Sequence, residues 1–440
     1  MIIRYDPKTH KRQSGHFGSR SFIEAKITAD GGTSPSATFR KKRYLYKLYE
    51  SDGTFITTLT DVVNDPVFTI ELNGGFREFI VQLARNESNY SEGTDIVYGN
   101  QLKIYAFDGD TGYDGVLIYS GVLTRYVPSI VGNQETLAVT FLSYWWELAH
   151  FMLEDTGATE KTYTAQDPEA ILQDALDKFT AAGGKLDYDG ASTDPCGTSV
   201  TYKFNTAMYN EVIAKVLDLS PYDWYIRLGA DDLIYFKQKS STADHVLTLG
   251  RDIMEYEPEK RTENIVNTIY FVGGGGPPKL YKKYVASGSV TAYGTRAIKY
   301  IDEHVTATGT SDKIKDRILN SLSEPEIRVV AKIMDNNGTA RDASLGYDIE
   351  SLMVGETVQI QNATSKAENL WDEIIWDTDS WDYDITNAAG NILQIVRVQY
   401  FPDFAIIELS NKQPDIVQRI EEINRQTIDI VTADNPTTPS

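Results

Sequence analysis

Tyr44-Leu45-Tyr46-Lys47-Leu48-Tyr49 and Phe55-Ile56-Thr57-Thr58-Leu59, joined through Ser51-Asp52-Gly53, set the fold class of this chain. Both flanks are rich in aromatic and β-branched residues, which favour a pleated, half-buried surface. Asp-Gly between them supplies the residues that tight hairpin turns demand. Working outward, Val67–Leu72, Glu78–Leu83, Gln101–Tyr105, Val116–Tyr119 and Thr136–Leu142 repeat the pattern at regular intervals. Regularly spaced short strands predict a sandwich or small barrel.

Beyond residue 150 the apolar period lengthens. Ile171, Leu172, Ala175, Leu176 and Phe179 share one face of a helix over 168–181, opened by Pro168 and followed by Gly183-Gly184. A second helix over 207–219 would bury Val212, Ile213, Val216 and Leu217, and Tyr225–Leu228 with Leu233–Lys237 reads as a hairpin. Strands then resume at Val246–Leu249, Ile265–Val272, Ser289–Val290, Arg328–Ile333, Glu356–Ile360 and Ile392–Leu409. One helix interrupts them, with Ser311 as N-cap and Ile314, Ile318, Leu319 and Leu322 as its stripe.

The expected fold is therefore mainly β with α+β insertions. It comprises a basic arm (1–42), a first β-barrel or sandwich (43–149), a small α/β module (150–245), a second barrel with a helical insertion near 285–345 (246–410), and a C-terminal helix with a flexible tail (411–440). The two β regions look related. Tyr126-Val127-Pro128 and Tyr400-Phe401-Pro402 are each expected to close a strand that a returning strand answers.

Composition narrows the function. Lys and Arg number 42 against 63 acids, a net charge of −21, yet residues 1–43 alone carry ten Lys/Arg against three acids. That arm lacks the aromatic interleaving of a nucleic-acid platform, so an acidic neighbouring subunit is its expected partner. One cysteine, Cys196, excludes an internal disulfide and a cysteine-ligated zinc. No apolar run is long enough for a membrane span, and Met1–Asp6 lacks the start of a signal peptide.

Motifs that carry chemistry are sparse. His10, His16, His150, His245 and His304 have no metal-ligand spacing, and no nucleophile elbow occurs. Gly273–Gly276 follows a strand, but Pro277-Pro278 removes the amide donors a phosphate loop needs. Asp108–Asp114 spaces its first carboxylates like a calcium loop without the distal glutamate. Trp371, Trp376 and Trp381 lie among acids that include Asp377 and Asp382. This pairing suits either glycan stacking and acid/base chemistry or a solvated turn anchored by tryptophan. No cofactor is expected.

Near the end of the chain, Ile416, Ile420, Ile423 and Ile430 step by fours and threes with Thr427 between. Isoleucine at both seam positions favours a three-stranded coiled coil, while the same spacing also suits an amphipathic helix packed on its own domain.

Several phrases, in this order, resemble one family. They are Gly121-Val122-Leu123-Thr124-Arg125-Tyr126, Leu137–Trp145, Asp167-Pro168 to Phe179, Trp224–Asp231, Leu233–Lys237, Glu263–Asn267 running to Gly274, and Val354-Gly355-Glu356-Thr357-Val358. The chain resembles the tail-tip or baseplate hub proteins of long-tailed bacteriophages, a family shared with contractile injection systems. The resemblance implies a non-enzymatic, structural virion protein. It would form a homotrimer whose six barrels adapt a sixfold tail to a threefold tip and gate the DNA channel.

Implied partners are other copies of itself, the distal tail ring, the tape-measure protein and a tip fibre or plug, with phage DNA passing unspecifically during genome ejection. The implied location is the virion tail tip, after assembly in the host bacterial cytoplasm. Relatives that continue into a peptidoglycan hydrolase set the alternative, an envelope-glycan-binding or peptidoglycan-degrading tail protein. The short sequence after Ser410 leads us to expect such an activity on another subunit, if anywhere. An acidic channel wall would avoid phosphate contacts that retain DNA, so acids are expected to face the threefold axis.

Overall fold

The computed structural model describes residues 43–84, 96–107, 115–131, 134–155, 157–275, 278–335, 346–361 and 392–413. The first strands are β1 (Arg43–Tyr49), β2 (Phe55–Leu59), β3 (Phe68–Glu71), β4 (Gly75–Phe76), β5 (Phe79–Ala84), β6 (Gln101–Phe107), β7 (Val116–Val131) and β8 (Gln134–Leu142). Six of them form one sheet in the order β2-β1-β6-β7-β8-β5. Its opening hairpin turns where sequence places it. Gly53 takes a φ of 90°, and the Asp52 carboxylate accepts the Thr54 N–H at 2.8 Å.

The sheet curls until its ends meet. After β2 the chain runs beside β5, where Val63 N–H donates to the Gln82 carbonyl and Ala84 N–H to the Asp61 carbonyl. The Asn64 side chain grips the same strand, donating to Ile80 O and accepting from Gln82 N. Along β5, Phe79, Val81 and Leu83 are buried while Ile80 and Gln82 are exposed. That alternation marks a strand with one face on a core.

β7 changes partner in mid-course. It pairs β6 from Val116 to Val122, then β8 from Val122 to Val131, with a bulge between Leu123 and Arg125. Tyr126-Val127-Pro128 therefore does not close a strand, contrary to the expectation. β6 no longer flanks β7 there, so the missing N–H of Pro128 breaks no ladder bond. Pro402, by contrast, does sit between two strands, so the two Tyr-x-Pro triplets are not structural equivalents.

The middle of the chain contributes β9 (Glu160–Gln166), α1 (Pro168–Ala181), β10 (Val200–Asn205), α2 (Tyr209–Leu219), β11 (Trp224–Leu228) and β12 (Ile234–Gln238). Asp167 caps α1, accepting from Glu169 N as well as from Cys196 N and Thr198 N. The predicted apolar faces of both helices are buried. β9 and β10, which the sequence reading passes over, pair with each other.

The remainder supplies β13 (His245–Thr248), β14 (Ile253–Arg261), β15 (Thr268–Gly273), β16 (Tyr281–Val285), α3 (Ser287–Tyr293), β17 (Ala297–Asp302), α4 (Thr308–Leu322), β18 (Glu326–Met334), β19 (Thr357–Gln361), β20 (Leu393–Tyr400) and β21 (Phe404–Ser410). A second large sheet runs β13-β19-β20-β21-β18-β14, and a bridge between Leu249 and Ile253 draws its first and last strands together. β15, β16 and β17 form a separate sheet, and α3 and α4 fall within the stretch near 285–345, with β17 between them.

Two local expectations fail. Ser289 and Val290 lie in α3, because tertiary bonds override β propensity: the Asn267 amide donates to Gly294 O and Ser289 Oγ. Ser311 is not an N-cap. α4 starts earlier, at Thr308, and Ser311 is fully buried, its hydroxyl donating to Thr308 O and meeting the Tyr284 hydroxyl at 2.9 Å.

Candidate functional site at the seam of the two sheets

Val67–Leu72 reads as one more strand of the first barrel. Instead β3 leaves that sheet and pairs antiparallel with β20, from Phe68 opposite Tyr400 to Glu71 opposite Arg397. Phe68, Thr69 and Ile70 are buried in succession. Consecutive burial, rather than alternation, marks a strand covered on both faces. Phe68 stacks on Tyr400 and also touches the rings of Phe76, Phe79 and Tyr119, so one aromatic core spans both sheets.

The turn after β3 brings in the middle module. Asn73, at a φ of 59°, donates its N–H to Ile226 O and accepts from Ile226 N through its side chain. On the solvent side of the seam the strands carry an ion ladder. Arg77 meets Glu71 at 2.6 Å, Arg397 meets Glu408 at 2.9 Å and Glu71 at 3.6 Å, and Arg328 meets the other oxygen of Glu408. Two carboxylates thus hold guanidiniums from β18, β20 and the chain after β4 in one geometry.

A second clamp involves Val354–Val358. The Glu356 carboxylate lies 2.8 Å from His245 Nε2, accepts Met353 N–H and stands 3.5 Å from Arg227. The other His245 nitrogen meets the Tyr347 hydroxyl at 2.9 Å. Gly355 sits at a φ of 93° directly beneath Tyr225, where a Cβ would lie 2.1 Å from the ring. Only glycine fits both constraints. These bonds tie β13, β19 and the β11–β12 hairpin together, which is an anchoring role.

Further bonds fix the modules. Lys215 is buried against Asp302, Asp218 and the Tyr300 hydroxyl. In the β11–β12 turn, Asp232 accepts from Ser120 of β7 at 3.0 Å, and burial pushes its carboxyl up to about 7. Burial likewise raises the Cys196 thiol, leaving it little thiolate character. Gly273 and Gly274 donate their amides to Leu280 O and Val305 O, so these two donors are spent within the protein. Among the described residues no group of three or more His, Cys, Asp or Glu side chains is placed to hold a metal ion.

The exposed surface offers two unlike strand edges. β14 ends its sheet with Pro258 and a run of charges, Glu255, Glu257, Glu259, Lys260 and Arg261, which discourages edge pairing. Beyond Leu123, β7 instead presents Val127 (48% exposed) and Ile130 (71% exposed) beside the stacked pair Tyr98–Tyr126. This arm also carries Arg125 and Pro128, but the side chains it shows to solvent at 127 and 130 are apolar.

Ile416, Ile420, Ile423 and Ile430 lie outside the described residues, as do Trp371, Trp376, Trp381, Asp377 and Asp382, the Asp108–Asp114 loop and the basic residues before Arg43. Nothing brings them together or separates them here. What the sequence reading missed is the seam: Phe68-Thr69-Ile70-Glu71-Leu72 alternates apolar and polar as a one-sided strand would, so the burial of Thr69 leaves no local trace.

Among the described residues no helix is long and apolar enough to cross a membrane. The sequence matches no protein-family model and no curated protein. Solved structures do match, nearly end to end. The prophage tail protein gp18 of Listeria monocytogenes superposes with a TM-score of 0.54 at 14% identity, covering 88% of this chain and 99% of that one. A tail protein of prophage MuSo2 from Shewanella oneidensis gives 0.54 at 12% identity, over 85% and 99%. A tail protein from Neisseria meningitidis gives 0.51 at 10% identity, over 84% and 96%. The chain has the fold of these phage tail proteins.

Proposed function

We propose that this chain is a structural subunit of a phage tail, acting as a trimeric hub at the distal tip. Three copies, each with two barrels, present six similar walls to a sixfold tail while leaving a threefold tip and a gated channel for DNA. The observation that carries this reading is the end-to-end match to three tail proteins, each covered over at least 96% of its length. The welded seam supports it, because a hub must hold two barrels in fixed relation under load. The exposed β7 arm supports it as well, since the solvent-facing Val127 and Ile130 suit association with another copy or a tail neighbour.

The hub acts without chemistry of its own, by interface formation. In this reading Ile416, Ile420, Ile423 and Ile430 add a three-helix seam, acidic residues face the axis, and the distal tail ring, tape-measure protein and a tip fibre or plug are its neighbours in the virion. Electron microscopy of the purified chain tests it. Threefold rings with an acidic lumen are expected; rings lined by Lys and Arg, or an absence of rings at every concentration, would contradict it.

A further inference from the structure

We propose that a cavity beside the seam binds a small oxyanion, a molecule bearing a phosphate or carboxylate group. The cavity measures about 350 Å³ and opens between the turn after β3 and the outer faces of β18, β20 and β21. That volume lies at the small end of ligand pockets. Its wall carries four cations, Arg77, Arg328, Arg397 and Lys412, against three carboxylates, Glu71, Glu326 and Glu408.

The cations are not all satisfied. The ion ladder commits the three guanidiniums to Glu71 and Glu408. Glu326 accepts from the Asn264 amide and acts on Lys412 only through space, as does Glu324. Lys412 is 4% exposed, and its ammonium has no hydrogen-bond partner. The Nε–H of Arg397 is buried without an acceptor too, Glu71 being 3.6 Å away. The cavity is thus lined by one buried ammonium without a partner, on Lys412, and by one guanidinium N–H without an acceptor, on the otherwise paired Arg397.

Leaving the buried Lys412 ammonium unpaired costs more than a neutral donor would, while the Arg397 guanidinium, paired to Glu71 and Glu408, has only its Nε–H to offer. A ligand with several acceptor oxygens and negative charge answers both deficits, whereas a cation would meet a net positive wall. The state of Lys412 agrees, since burial lowers its pKa to about 8, so the protein's own carboxylates compensate the ammonium poorly. An oxyanion would hold it charged.

The test is a titration of the full chain with inorganic phosphate and, separately, citrate, at constant ionic strength balanced with chloride, read by calorimetry and by thermal melting. Saturable binding at pH 7 is expected, with a rise in melting temperature. Lys412→Met should weaken it roughly tenfold or more, the worth of one hydrogen bond to a charged group. Binding should also fall by pH 9.5, where Lys412 is neutral. Lys412→Gln provides a second variant should Met not fold. Absence of saturable binding overturns the proposal, as does equal binding by wild type and either variant.

Discussion

Phe68 stands opposite Tyr400 in the β3–β20 ladder and stacks on it, ring centroids 4.7 Å apart and planes 23° from parallel. One residue comes from the N-terminal sheet's segment of the chain and the other from the C-terminal sheet. Their contact joins the cores of the two sheets through one ladder.

That weld predicts cooperative unfolding. Phe68→Ala should cost about 3–5 kcal/mol, the usual penalty for emptying a buried aromatic site. A double-mutant cycle with Tyr400→Leu should recover a coupling of roughly 0.5–1.5 kcal/mol. Denaturant titration monitored by fluorescence and circular dichroism measures both. Independent transitions for the two barrels in the wild type would show that the seam does not couple them.

Asp232 gives a pH signature. Its folded carboxyl lies near 7 against an ordinary 3.8, through burial, with the Ser120 hydroxyl and Lys103 opposing. A folded pKa above the unfolded one means the native state binds the extra proton, so stability falls as pH climbs from about 4 to about 7. Asp232→Asn keeps the Ser120 bond and tolerates the φ of 65°. It should stabilise the chain by roughly 2–4 kcal/mol at pH 8 and leave it unchanged near pH 4. Equal effects at both pH values would refute this.

Gly355 tests the second clamp. Gly355→Ala places a Cβ against the Tyr225 ring and strains a φ of 93°, so a loss of about 2 kcal/mol or more is expected. Shrinking the ring with Tyr225→Leu should recover part of that loss, since the backbone strain remains. A double variant no better than Gly355→Ala would place the whole penalty in the backbone.

The β7 arm predicts an effect on assembly alone. Val127→Glu with Ile130→Glu changes two exposed side chains, so the melting temperature of the isolated chain should barely move. If the arm docks another copy, the variant should dissociate at concentrations where the wild type stays assembled. Sedimentation velocity over a dilution series checks this, and superimposable profiles would remove the arm from the interface.

Much of the fold was legible in short-range pattern. The Asp52-Gly53 turn, the α1 face from Ile171 to Phe179 and the β11–β12 hairpin all follow from local propensity and period. What escaped depends on partners distant in sequence. Nothing near Phe68 announces Tyr400, Ser311 resembles a cap because its burial under Tyr284 is invisible locally, and α3 owes its helix to Asn267. β14 was hidden by Pro258 and its charges, which a strand tolerates at a sheet edge. The seam's ladder was illegible for the same reason: Arg328, Arg397 and Glu408 meet on strands distant in sequence, and Glu71 joins them only after β3 crosses between sheets.

The most direct measurement is the solution mass of the full chain by multi-angle light scattering, beside a variant with Ile416, Ile420 and Ile423 all changed to Asp. The account predicts three times the 49.3 kDa chain mass for the wild type and a shift towards one chain for the variant, its barrels still folded. Wild type at the mass of a single chain across the whole concentration range would contradict the trimeric hub.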